Sequence, residues 1–224
     1  MHECRPADGT LCQLYMRFEE EGRPCIKKPT AENNDTMRRI WIAIVKLCGW
    51  KFHLPEKGER PEIERCVFVV APHTAIADFT IGAAYLWSLD VNGHIFIKKE
   101  FFRWPVKRAM LRNGCIPVDR GNRHNGMVET AIGEFAKGGT FTIAITPEGT
   151  RKPVRRWKRG FWEIAHGAGV PMVPACIDFE HKEIWLEEAV WPTDDYEADL
   201  ARVRRCFRAS MAKNPSQFIE LERK

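Results

Sequence analysis

Long apolar runs are missing from these 224 residues. No stretch approaches the roughly 20 consecutive apolar residues that cross a bilayer, so no membrane-spanning helix is expected. Cys-x2-Cys pairs are missing too. The eight cysteines stand singly at 4, 12, 25, 48, 66, 115, 176 and 206, so metal sites built on paired cysteines are not expected. Cys66, Cys115 and Cys176 fall inside apolar, strand-like runs, where a free thiol behaves as a small hydrophobe. The N-terminus shows no signal-peptide pattern, so reduced thiols and a cytosolic setting are expected. No repeat of fixed period is visible.

What is present fits one α/β domain. An apolar content of 44% can fill a core at this length. The net charge of +5 is unevenly spread and points toward anionic partners: phosphate-bearing substrates, acidic carrier proteins, nucleic acid or an anionic membrane face. Residues 1–36 are polar, punctuated by proline and glycine, and read as a loose N-terminal extension. The domain is expected over residues 37–224. It opens with a helix in Met37–Trp50 that is apolar almost all round from Ile40 to Leu47. Arg38, Arg39 and Lys46 flank that stretch. Such a helix is too short to span a membrane, but it suits the headgroup interface, with Trp41 and Trp50 as anchors; packing on the sheet is the plainer alternative, and the two do not exclude each other.

Strand and helix patterns then alternate. Strands are expected at Trp50–Leu54, Val67–Ala71, His94–Lys98, Cys115–Arg120, Thr140–Thr146, Val170–Ile177 and Glu183–Val190. Helices are expected from Thr74 to about Leu89, over Arg103–Arg112, Asn125–Lys137 and Lys158–His166, and as a tail over Asp195–Lys213. Alternation of this kind predicts a mostly parallel mixed sheet covered by helices, with the last two strands antiparallel because their link is short.

The stretch Cys66–Phe79, CVFVVAPHTAIADF, organises the rest. Val67–Ala71 reads as a buried strand, Pro72 stops it, and His73 follows at once. In an open α/β sheet such strand-to-helix corners line the ligand crevice. His73 and Asp78 can meet only if His73 lies in the turn and Asp78 in the first helical turns, with Thr74 as the expected N-cap. Asp78 would then fix the imidazole tautomer and leave the other nitrogen basic. Two further corners carry charge after an apolar strand: Asp119-Arg120-Gly121 and Pro147-Glu148-Gly149-Thr150-Arg151. Arginine suits phosphate because its planar fork donates two parallel hydrogen bonds, and Gly149 permits close approach or a positive φ. Glu148 could orient an arginine or receive a substrate hydroxyl. A structural ion network of Arg120 and Arg151 with Asp119 and Glu148 is the plainer alternative.

HTAIAD (His73–Asp78), GCIPVDR (Gly114–Arg120), TPEGTR (Thr146–Arg151) and VPMVPACI (Val170–Ile177) resemble, in order and spacing, the four blocks of the glycerophospholipid acyltransferases, the family typified by 1-acylglycerol-3-phosphate acyltransferase. The resemblance covers about residues 40–190. It implies transfer of a fatty acyl group from acyl-CoA or acyl carrier protein to the hydroxyl of a lysophospholipid. His73 would be the general base and Asp78 its orienting partner. Arg120, Glu148, Gly149, Thr150 and Arg151, with Lys98 from IFIKKEFF, would bind the acceptor. The second block here carries Pro117-Val118 ahead of Asp119, and the third opens with Thr146 in place of the commoner Phe. Lysophosphatidic acid is the default acceptor, with another lysolipid or an amino-acid lipid as alternatives. A thioester is already activated, so no cofactor is expected. The expected location is cytoplasmic, peripheral on the inner face of the membrane.

A rival class is a nucleic-acid or anionic-surface binding module. It rests on Arg151-Lys-Pro-Val-Arg-Arg-Trp-Lys-Arg-Gly160, six basic residues around a tryptophan. A basic loop beside a phosphate site, or one that docks an acidic carrier protein, explains the same residues. Four ordered blocks outweigh one basic run, so no nucleic-acid partner is expected.

Overall fold

The computed structural model describes residues 31–91, 93–98, 100, 107, 115–118 and 126–220, with side chains for all of these except 31–35, 96–98 and 115–118. Of the expected helix at Arg103–Arg112 only Lys107 is described, and it is helical; the rest of that helix and the Asp119-Arg120-Gly121 corner lie outside the described residues.

Among the described residues seven strands form one sheet: β1 (Lys51–Phe52), β2 (Val67–Ala71), β3 (Gly93–Lys98), β4 (Cys115–Val118), β5 (Thr142–Ile145), β6 (Met172–Asp178) and β7 (Glu183–Leu186). Their spatial order is β1-β7-β6-β2-β5-β3-β4. Every pairing is parallel except β6 with β7. The helices are α1 (Ala31–Leu47), α2 (Ile76–Ser88), α3 (Met127–Ala136), α4 (Gly160–Ala168) and α5 (Tyr196–Arg204). The expected mixed α/β sheet is therefore present, with the antiparallel pair at the expected place.

β2 shows why a continuous apolar run serves a central strand. Side chains alternate across a sheet, and both faces of this one are covered. Val67, Val69 and Ala71 point into a core with Phe135 of α3, Phe161 and Ile164 of α4 and Val203 of α5. Val70, on the opposite face, packs on a cluster of Ile81 and Tyr85 of α2 and Val45 of α1. The layers are thus α1 and α2 on one face, and α3, α4 and α5 on the other. α1 lies on α2, and the Trp41 indole donates to the Thr80 carbonyl at 3.2 Å.

Several boundaries differ from expectation. α1 reaches back to Ala31, so residues 31–36 are helical rather than loose extension. α2 starts at Ile76, with Ala75 as N-cap in place of Thr74. β7 ends at Leu186, although Val190 still bridges Met172. α4 begins after Lys158 and runs past His166 to Ala168, ending where Gly169 takes a φ of 62°. α5 stops at Arg204, and two short 3-10 turns, Ala209–Met211 and Pro215–Gln217, carry the chain back across the molecule.

Candidate active site

The site forms where two neighbouring parallel strands end. β2 and β5 pair with Val67 opposite Ile143 and Val69 opposite Ile145. Carried two or three residues beyond the strands, that register sets the corner after Ala71 beside the corner after Ile145. His73 and Glu148 meet there. The Glu148 side chain is buried, and its carboxylate accepts from the His73 backbone N–H, with Oε2 at 3.0 Å and Oε1 at 3.3 Å. Burial drives the Glu148 carboxyl up to about 8; the His73 N–H opposes that shift and the nearby Asp78 charge adds to it. A carboxyl held this way spends much of its time protonated near neutrality.

Asp78 occupies the third position of α2 and is almost wholly enclosed. Its Oδ2 accepts from the backbone N–H of Thr74 at 2.6 Å and of Ala75 at 2.7 Å. This is the acidic half of a capping box, and the helix dipole favours a carboxylate at that end. The same oxygen lies 3.2 Å from His73 Nδ1. The distance suits a bond, but the ring N–H is not aimed along it. Nδ1 and the second carboxylate oxygen, Oδ1, are both buried without a hydrogen-bond partner. A small turn of the ring or carboxylate would complete the pair. Were Nδ1 to bond Asp78, Nε2 would be the ring nitrogen left over.

The second corner is a tight turn closed by Gly149 N–H donating to the Thr146 carbonyl at 3.1 Å. Gly149 takes a φ of 65°, the left-handed region that favours glycine; a Cβ there would come 2.7 Å from Lys158 Cε, and that flexible side chain would have to shift. The Thr150 hydroxyl accepts from Lys152 N–H at 3.2 Å. Arg151 is exposed, and among the described residues it makes no ion pair. The alternative of an Arg151–Glu148 ion pair is therefore not what the side chains form.

Lys98 ends β3, paired with Val118 of β4; its side chain and Arg120 lie outside the described residues. β4 is three places from β2 in the sheet, which at the usual strand spacing is about 14 Å.

Sequence reasoning missed Arg204, Asn214 and Gln217. Arg204 is buried, lies over Trp157 at 5.0 Å, and donates to the carbonyls of Arg155 and Ile219. Burial lowers its pKa, and the Glu148 charge offsets part of that. Asn214 and Gln217 reach the Thr74 carbonyl from the far end of the chain. No local pattern marks these contacts; only Asn214-Pro215 stands out, as a turn signal.

The basic run from Arg151 to Gly160 keeps its six cations exposed, but Trp157 is buried against Phe161 and Phe207 and is not available for base stacking. Asp178, Glu180 and His181 bring potential metal-ligand atoms within 4.8 Å of one another. Asp178 already accepts from both N–H groups of that turn and from the His181 ring, which accounts for the cluster as a turn.

The fold is similar to the crystal structure of the 1-acyl-sn-glycerophosphate (LPA) acyltransferase PlsC from Thermotoga maritima. The TM-score is 0.53 and the identity 16%, with 88% of each chain covered. No match is found among curated proteins. A family model described as Acyltransferase matches residues 51–178, more than half of the chain and the whole span from β1 through β6. With the His73 and Glu148 corners both inside that span, the chain belongs to the acyltransferase family.

Proposed function

We propose that this acyltransferase moves a fatty acyl group from acyl-CoA or acyl carrier protein to the hydroxyl of a lysophospholipid, with 1-acylglycerol-3-phosphate as the default acceptor. The observation that supports this most directly is the His73–Asp78 juxtaposition at the carboxyl end of β2. Neutral His73 takes the hydroxyl proton on Nε2 as the oxygen attacks the thioester carbonyl carbon. Asp78 stabilises the imidazolium that results. The tetrahedral centre then collapses, the C–S bond breaks, and the leaving thiolate recovers the proton. Glu148 fixes the backbone from which His73 projects. Arg151, exposed and without an ion pair among the described residues, supplies charge for the acceptor phosphate, together with Arg120 and Lys98. Holding both substrates in register accounts for much of the rate in a reaction of this kind.

The protein is proposed to work at an anionic membrane face. Met37, Ile40, Trp41, Ile44 and Leu47 of α1 are all exposed, at spacings that put them on one stripe. Ile76, also exposed, opens α2 one turn before Thr80, where the Trp41 indole docks. Among the described residues no helix is long and apolar enough to cross a membrane. An interfacial helix needs only this shallow apolar face. The test is to offer purified protein a panel of lysolipids with each donor and identify products by mass spectrometry. New diacyl lipid from a phosphate-bearing acceptor supports the reading. Acylation confined to acceptors without phosphate overturns the assignment of the arginines.

A further inference from the structure

The Thr74–Ala75 peptide unit is gripped from both sides. Its N–H, on Ala75, donates to Asp78 Oδ2 at 2.7 Å, the oxygen that faces His73 Nδ1. Its carbonyl, on Thr74, accepts from Asn214 Nδ2 at 3.1 Å and from the Gln217 amide nitrogen at 3.0 Å. The Gln217 amide is assigned with nitrogen on that side because an oxygen there would face only acceptors. Its second proton goes to the Arg151 carbonyl at 2.9 Å. One side-chain amide therefore joins the corner after β2 to the corner after β5. The Thr74 hydroxyl also accepts from Asn214 N–H at 3.2 Å.

These two amides lie beyond the span matched by the family model, which ends at residue 178. They are separated by about 140 residues from the threonine they hold. The segment that carries them is anchored independently. Met211 and Ala212 before it and Phe218 after it are buried. The Met211 carbonyl accepts from Phe179 N–H, and the Ile219 carbonyl accepts from Arg204. Local turn-making does not require either side chain, because the turn is already closed by Gln217 N–H donating to the Asn214 carbonyl at 2.9 Å.

We propose that Asn214 and Gln217 are positioning residues for His73, acting through the Thr74–Ala75 peptide and Asp78; the assignment of a rate effect to them rests on the acyltransferase reading above. A carbonyl that accepts two bonds polarises its own peptide, and the N–H at the other end donates more strongly. The amides thereby firm the grip on Asp78 Oδ2 and hold the imidazole's partner in place. Through the Arg151 carbonyl, Gln217 also sets the spacing between the base and the loop assigned to the acceptor phosphate.

The decisive variant is Gln217→Glu, which keeps the shape but replaces the donor by a carboxylate facing two carbonyls. Asn214→Asp makes the same change next to it, and Ser216→Ala is an exposed control in the same turn. With lysophospholipid and thioester, Gln217→Glu is expected to lower kcat about tenfold or more per folded molecule. The donor KM should stay unchanged, and Ser216→Ala should match the unaltered protein. Independently of any activity, amide exchange at Thr74 and Ala75, read by mass spectrometry on the folded protein, should quicken about tenfold in both acid variants. Unchanged exchange and unchanged kcat would overturn the proposal. So would failure of both acid variants to fold while Ser216→Ala folds, since the amides would then be stability elements. If the unaltered protein transfers no acyl group, the functional reading fails, and the exchange measurement still decides whether the amides hold the His73 corner.

Discussion

Replacing Asp78 by Asn separates a helix cap from a catalytic partner, because the two roles respond by very different amounts. In the folded protein Oδ2 takes two short N–H bonds, 2.6 Å from Thr74 and 2.7 Å from Ala75, at a site closed to water. An asparagine oxygen can accept both, but without charge assistance, which costs roughly 0.5–1 kcal/mol per bond. Loss of the favourable charge at the helix N-terminus adds about 0.3–1 kcal/mol. The sum, about 1–3 kcal/mol, corresponds to a fall in melting temperature of about 3–10 °C for a chain of this size. Catalysis should suffer far more. Next to an amide the imidazole is no longer held in the tautomer that leaves Nε2 basic, and comparable pairs lose on the order of 10³- to 10⁴-fold in kcat. The assay is a thermal melt paired with initial rates at saturating substrate, each rate corrected for the folded fraction. An Asp78→Asn variant that melts lower yet keeps more than a tenth of kcat would refute the reasoning: Asp78 would be a cap and nothing else.

Other perturbations follow from the same geometry. Glu148→Gln retains an oxygen for the His73 N–H but cannot ionise. A folded-state pKa near 8 lies above the ordinary carboxylate value. The stability tied to the protonated Glu148 is therefore full below about pH 4.5 and is lost as pH rises toward 8. The melting temperature of Glu148→Gln relative to the original should climb across that window, and a constant difference between the two would contradict the assigned burial effect. Arg151→Ala should weaken the apparent affinity for a phosphate-bearing acceptor roughly ten- to hundredfold and leave the donor KM alone; equal effects on both substrates would point to a structural role. Ile40→Ser, Ile44→Ser and Leu47→Ser together should reduce sedimentation with anionic vesicles at an unchanged melting temperature, since all three side chains are exposed. A collapse of stability would mark that face as core.

Local pattern made the strands and the chemistry-bearing corners legible. Val67–Ala71 is apolar at every position because both sheet faces are covered, and His73 and Asp78 meet because five residues suffice for one turn and the start of a helix. What the pattern left out depends on distant pairing. Glu148 looked like a group for substrate or arginine; the register between β2 and β5 turns its side chain inward onto the His73 amide. Thr74 looked like the cap because threonine commonly is one, yet Asp78 satisfies the first N–H groups from within the helix and the start moves to Ile76. The tail looked like one helix to Lys213, but it breaks after Arg204 and returns to Thr74. Contacts across such separations leave no period in the sequence.

The central claim is that His73 is the base. Its side chain is partly exposed, whereas the bond to Glu148 uses only its backbone N–H, so His73→Ala leaves the fold's own contacts in place. The direct measurement is acyl transfer to a lysophospholipid by His73→Ala protein, followed by mass spectrometry of the product and paired with a thermal melt. The account predicts no detectable turnover at a melting temperature that barely moves. Full turnover by the folded variant would contradict it.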